Sequence, residues 1–172
     1  ISPPLLLIYN QMENNQKQSI ANYKRMGIEI EVPVRWGDMD ALRHVNNAQY
    51  FTYCETARIA YFEKIGLFDV AHTTLGPSLA MAQLNFRRQV HYPATLLVNV
   101  CTTKIGNTSF TLQYLIRDQN QPADEGASDG SSVVVWVDYS AGKPVPLPEE
   151  LIERIIEVEK NPDLHPSKKN GS

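Results

Sequence analysis

One stretch of this chain repeats apolar side chains at helical spacing for four turns: Tyr50, Cys54, Ala57, Tyr61 and Ile65, with Glu55, Arg58 and Glu63 off the stripe. The segments around it read as strands. Ile28, Ile30, Val32 and Val34 alternate with Glu29, Glu31, Pro33 and Arg35, and Pro33 puts that first strand at an edge or a bulge. Four further strands are expected over roughly 79–90, 94–105, 109–118 and 132–139. The clearest sets Phe110, Leu112, Tyr114 and Ile116 against Thr111, Gln113, Leu115 and Arg117, and Gly106-Asn107 supplies the turn residues of an antiparallel hairpin. A sheet with one apolar face needs a cover, and the helix over residues 50 to 65 is the adequate one. The expectation is an α+β chain in which a curved antiparallel sheet wraps one long helix.

Local chemistry sets the limits of these elements. Asn46 or Asn47 is a sensible N-cap for the long helix, and Gly66 is placed to end it. Residues 119 to 130, polar with Pro122 and two glycines, read as an exposed loop. A closing helix is expected to start near Pro148, with Glu149 and Glu150 favourable to its dipole, and to fade at Asn161-Pro162. This gives a single domain over 26–160, a flexible arm over 1–25 rich in Asn, Gln and Lys, and a flexible tail over 161–172. The start at Ile1 suggests a processed or truncated N-terminus, with residues 10 to 25 read as a mobile arm or, alternatively, the remnant of a mitochondrial presequence.

A net charge of -3 argues against a nucleic-acid-binding face, so any polyanionic ligand must meet a local basic cluster. No apolar run is long enough to span a membrane, so no membrane partner is expected. Two cysteines, Cys54 in the helix and Cys101 in a strand, imply buried free thiols rather than a disulfide framework, and the cytoplasm as the default compartment.

Between the first strand and the helix, residues 38 to 50 carry Asp38, Asp40, Arg43, His44, Asn46, Asn47 and Tyr50. Carboxylates just before a helix suit chemistry on a polarised carbonyl, because the first helical turn leaves N–H groups unpaired and its dipole can stabilise a developing oxyanion. The segment closely resembles the D-x-D-x-x-G-H-V-N-N-x-x-Y signature of the 4-hydroxybenzoyl-CoA thioesterase-like family of hotdog-fold acyl-CoA thioesterases. Asn85-Phe86-Arg87-Arg88-Gln89-Val90-His91-Tyr92-Pro93, then Gly106-Asn107-Thr108-Ser109-Phe110, then the segments 133 to 139 and 142 to 148 are similar to that family's later strands and closing turn. Roughly residues 28 to 156 are covered. One position departs: Arg43 stands where the family usually has glycine, so the loop is expected either to be shaped differently or to gain a phosphate contact.

The resemblance implies a thioester hydrolase that needs no metal or redox cofactor, built as a homodimer or homotetramer with its sites at subunit boundaries. It places the catalytic carboxylate at Asp40, attacking the thioester directly or deprotonating a water, and the oxyanion donor at the backbone N–H of Asn47. His44, Asn46, Tyr50, Arg87, Arg88 and Thr108 are the expected substrate contacts. Of the two arginines at a strand end, alternation lets one face the ligand. Asp38 and Asp40 are alternatively turn caps, and Glu55, on the helix where other hotdog enzymes keep an acid or base, is read as a solvated or structural ion pair with Arg58. A serine elbow, a His/Cys zinc spacing and a phosphate-binding glycine loop are all missing. The rival readings are an acyl-carrier-protein thioesterase, a hotdog dehydratase, disfavoured because His91-Tyr92-Pro93-Ala94 lacks the glycine of the H-F-P-G turn, and a non-catalytic acyl-CoA-binding module.

Overall fold

The computed structural model describes residues 26–122, 126–161 and 163–165, so the expected arm and residues 166–172 of the expected tail lie outside them. Strand β1 (Ile28–Pro33) leads through a short 3-10 turn (Trp36–Asp38) into helix α1 (Asn47–Lys64) and the one-turn α2 (Leu67–Val70). Strands β2 (Leu75–Phe86), β3 (Thr95–Ile105), β4 (Ser109–Asp118), β5 (Ser128–Asp138) and the two-residue β6 (Lys143–Pro144) follow, and α3 (Glu149–Glu159) closes the chain. All ladders are antiparallel and the sheet runs β1-β3-β4-β5-β2, with β6 attached to β5. The sheet curls around α1, which is the hotdog architecture.

Helix α1 forms where expected. The Asn46 side-chain oxygen accepts from the Ala48 N–H at 2.9 Å, which fixes Asn46 as the N-cap, and Gly66 takes the left-handed conformation (φ 59) that ends the helix. Its buried face is wider than the periodic stripe, because Tyr53 and Phe62 join Tyr50, Cys54, Ala57 and Tyr61. The helix packs over β1 and β3, and its first turn meets the end of β2 through Tyr50 and Phe86. At its far end the Tyr61 hydroxyl donates to Glu159 Oε1 (2.6 Å) and the Thr102 N–H donates to the same oxygen (2.6 Å), stapling α3 to helix and sheet. Burial pushes the Glu159 carboxyl up, and these hydrogen bonds oppose but do not reverse that shift. Beyond α3, Leu164 is buried in the same core.

Strands β3 and β4 fall within a residue of expectation, whereas β2 and β5 do not. Strand β2 starts at Leu75 and leaves the sheet after Phe86, and β5 starts at Ser128, inside the segment expected to be loop. Cross-strand polar pairs explain this: Gln83 reaches Ser131 at 3.2 Å and Asn85 reaches Asp129 at 2.9 Å. Gly130 belongs to the ladder because any Cβ there would collide with the Gln83 carbonyl.

Candidate active site

The site is assembled from the α1 N-terminus, the loop before it and the chain leaving β2. Asp38, 2% exposed, is the anchor of that loop. Its carboxylate accepts from the Arg35 N–H (2.8 Å), from Arg35 Nε (3.0 Å) and from the Tyr53 hydroxyl (2.7 Å), while its carbonyl accepts from the Asn46 N–H (2.9 Å). Burial would raise the Asp38 carboxyl, but the Arg35 and Tyr53 hydrogen bonds outweigh it and hold the group below its usual range. Burial, with Asp38 alongside, pushes the Tyr53 phenol far up. Asp38 is therefore fully used in tying β1, the turn and α1 together. Tyr53 is the partner that periodicity alone does not single out.

Asp40 is held differently. Its Oδ1 accepts from the Leu42 N–H at 2.8 Å, an Asx turn, and its Oδ2 lies 3.5 Å from His44 Nδ1, with both side chains about a fifth exposed (23% and 22%). The loop closes through Asp40 N–H to the His44 carbonyl and Arg43 N–H to the Asp40 carbonyl, both 3.0 Å. The expectation that arginine would reshape this loop is corrected: Arg43 takes φ 66, the conformation glycine would supply. That conformation costs a side-chain-bearing residue about 1–2 kcal/mol, offset by those two bonds and by His91, whose Nδ1 sits 2.8 Å from the Arg43 carbonyl. A carbonyl only accepts, so this His91 nitrogen carries the proton.

With Asn46 capping Ala48, the Asn47 N–H meets no acceptor among the described residues. Asn47 and Asp40 line one cavity of about 330 Å³, together with His44, Tyr50, Arg87 and Arg88. Burial pushes the Tyr50 phenol up, against an opposing backbone contact from Val90, so it enters the wall as a neutral hydroxyl. Phe86 packs edge-on against Tyr50, with ring centres 5.3 Å apart, and is a wall residue the sequence reading passed over. The expectation that one of Arg87 and Arg88 would face away is also corrected. Both lie past the end of β2, and both donate their N–H groups to the Ala127 carbonyl (2.8 and 3.1 Å), so strand alternation no longer applies. Arg87 is bound to Asp129 at 2.6 Å.

Two expected residues stand apart. Asn46 spends its side chain on the cap, and Thr108, in the β3–β4 turn, lies at the opposite end of the sheet from the Val34–Ala94 contact that borders the site. Glu55 is 64% exposed, 3.8 Å from Arg58, and lines a separate cavity. Burial pushes the Cys54 and Cys101 thiols up to about 12, which removes both as nucleophiles at neutral pH. No helix among the described residues is long and apolar enough to cross a membrane, and no cluster of metal-ligating side chains occurs among them.

Residues 34–155 match the family model of the thioesterase-like superfamily. The chain is 32% identical over 127 residues to the Bacillus subtilis protein YsmA, covering 73% of this chain and 83% of that one. A thioesterase from Thermus thermophilus, solved in complex with coenzyme A and zinc, is 32% identical with a TM-score of 0.69, covering 80% of this chain and 98% of that one. A 1,4-dihydroxy-2-naphthoyl-CoA thioesterase from Synechocystis, 20% identical with a TM-score of 0.67 over 76% of this chain and 96% of that one, shares the fold. The helix-wrapping sheet, the loop that presents Asp40 to a free helix N-terminus and these likenesses converge: the chain belongs to the thioesterase-like superfamily and is a thioester hydrolase.

Proposed function

We propose that this chain hydrolyses an acyl-CoA thioester to the free acid and CoA, with Asp40 as the catalytic carboxylate and the Asn47 N–H as oxyanion donor. The observation that carries it is that Asp40 and Asn47 line one cavity together with two arginines. A carbonyl oxygen seated at the helix N-terminus meets an unpaired donor and the positive end of the dipole. Asp40 then has two routes. As a base it takes a proton from water while the water oxygen bonds to the thioester carbon. As a nucleophile its own oxygen bonds there, giving a mixed anhydride that water cleaves. In either route the C–S pair leaves with sulfur and the thiolate is reprotonated. His44, beside Oδ2, orients the water or carbonyl, and Tyr50 offers a neutral hydroxyl.

Arg88, Arg87 and the exposed Arg43 side chain are the cations we assign to the phosphates of CoA, Arg87 while it remains bound to Asp129. The structure of the Thermus thermophilus relative, which holds coenzyme A, supports a CoA ligand. Thr108 would join such a ligand across a subunit boundary. Assembly as a homodimer is supported by β2, a 12-residue edge strand with exposed Leu79 and Met81, alongside exposed Phe51 and Ile59 on α1. Buried thiols at Cys54 and Cys101 support a reducing compartment, the cytoplasm. The binding-module alternative loses its main support, because Arg43 keeps the loop in the shape glycine would give, and His91, bonded to the Arg43 carbonyl, is not presented as a dehydratase base.

The test is Asp40→Asn, which keeps shape and removes the charge. Release of free thiol from an acyl-CoA panel should fall by at least about 10²-fold in a folded protein, the lower range for a positioned acid or base. Unchanged turnover would remove Asp40 from the mechanism.

A further inference from the structure

The Asp40 cavity has a neighbour, also lined by α1 and β2. One turn further along α1 and two residues back along β2, at Phe51 and Leu84, a second cavity of about 210 Å³ opens. Phe51, Leu79 and Leu84 make its flanks apolar, while Arg58 is set into it from the helix. The Arg58 side chain is 11% exposed, yet its contacts among the described residues are long: Nη1 donates to the Tyr114 hydroxyl at 3.4 Å, and Nη2 lies 3.8 Å from the exposed Glu55 carboxylate. That hydroxyl is already shared with Ser132 at 2.7 Å. The other inward guanidinium, Arg117, 7% exposed, meets Glu29 at 2.6 Å. A guanidinium has five donors and is costly to bury without close partners. The Arg117 charge is met by Glu29 although its Nε is left without a hydrogen-bond partner, whereas neither contact of Arg58 is short.

We propose that this cavity is the far end of the acyl subsite and that Arg58 selects acyl groups ending in a carboxylate. The inference rests on the thioester-hydrolase reading of the Asp40 cavity and names the substrate class of that same site. Asn47 and Arg58 are eleven helical positions apart, about 16 Å along the axis, and helical side chains lean back toward the N-terminus, which shortens the span a substrate must cover. A thioester carbonyl at Asn47 therefore leaves a medium-length chain lying on Phe51 and Leu84, with its ω-carboxylate at the guanidinium. A carboxylate matches the planar fork of arginine through two parallel hydrogen bonds and neutralises the charge, which a terminal methyl or hydroxyl does not. Glu55 marks the position where a carboxylate is already drawn to this cation, from solvent and at a distance too long for a hydrogen bond.

Calorimetry with two non-hydrolysable CoA thioethers of equal chain length, one ending in a methyl and one in a carboxylate, tests binding apart from turnover. The wild-type chain should bind the carboxylate-ended thioether at least about tenfold tighter, as one charge-assisted bidentate contact implies. Arg58→Met should abolish that preference without weakening the methyl-ended ligand, and Arg58→Lys, which keeps charge and stem, should retain part of it. Equal wild-type affinities, binding of neither ligand, or equal loss of both in Arg58→Met would overturn the proposal. Octanoyl- and suberoyl-CoA turnover separates the two readings. Carboxylate-selective binding with no hydrolysis of either leaves Arg58 as the anchor and refutes the hydrolase, whereas hydrolysis of both at equal kcat/KM leaves the hydrolase and refutes the anchor.

Discussion

Replacing Asn47 by proline isolates the oxyanion donor from everything else at the α1 N-terminus. Proline at the first helical position forfeits an N–H that makes no intrahelical bond, and it restricts the preceding residue to extended backbone. Asn46 already has φ −59 and ψ 136, inside that region, and its capping bond goes to Ala48 rather than to Asn47. The variant should therefore keep its fold, its cap and its thermal midpoint. What it lacks is one donor at the carbonyl oxygen, and such a loss costs about 10²–10³ in kcat, or about 2.7–4 kcal/mol of transition-state stabilisation. Asn47→Ala is the control. Its side chain is exposed and is not the cap, so truncation should cost well under the roughly 1 kcal/mol of a lost N-cap and leave most of the rate. Both proteins would be compared on one acyl-CoA by thiol release at saturation, with circular dichroism melts to establish that each is folded. Equal turnover in the two would refute the argument, because the backbone N–H would then have no part in the reaction.

Tyr53→Phe removes a 2.7 Å donor to a buried carboxylate and should cost about 1.5–3 kcal/mol, read as a drop of roughly 5–10 °C in the thermal midpoint. The folded Asp38 carboxyl is depressed, so its contribution is present above the ordinary range near pH 4 and is lost as pH falls through the folded value. Tyr53→Phe should accordingly shift acid unfolding to higher pH, and an unmoved acid edge would contradict the anchor. Arg43→Gly relieves the left-handed strain of about 1–2 kcal/mol against an entropic loss of about 0.5–1, so it should stabilise by about 0.5–1 kcal/mol in urea melts. A lower midpoint would mean that the Arg43 side chain makes contacts that matter more than its backbone. Sedimentation velocity should give at least twice the 19.4 kDa chain mass, and a stable, active monomer would refute pairing through β2.

What could be read from the sequence follows from how local each cause is. The stripe from Tyr50 to Ile65 and the alternation in β4 are written into neighbouring residues, so both elements form where periodicity puts them. The polar start of β5 carries no such signal, since Ser128, Asp129 and Ser131 become strand through partners on β2 more than forty residues away. Arg43 is the same case at the backbone level. Its residue type argues against φ 66, and the conformation is held by a histidine 48 positions downstream, a partner that nothing local to Arg43 announces. Asp38 and Asp40 show why the candidate site divides as it does. Two residues apart, they present one chemistry to the sequence, yet the first is consumed by Arg35 and Tyr53 while the second spends one oxygen on its own turn and keeps the other at the cavity with His44. A carboxylate free to act is defined by the contacts it does not make, and that is a property of the folded loop rather than of the motif.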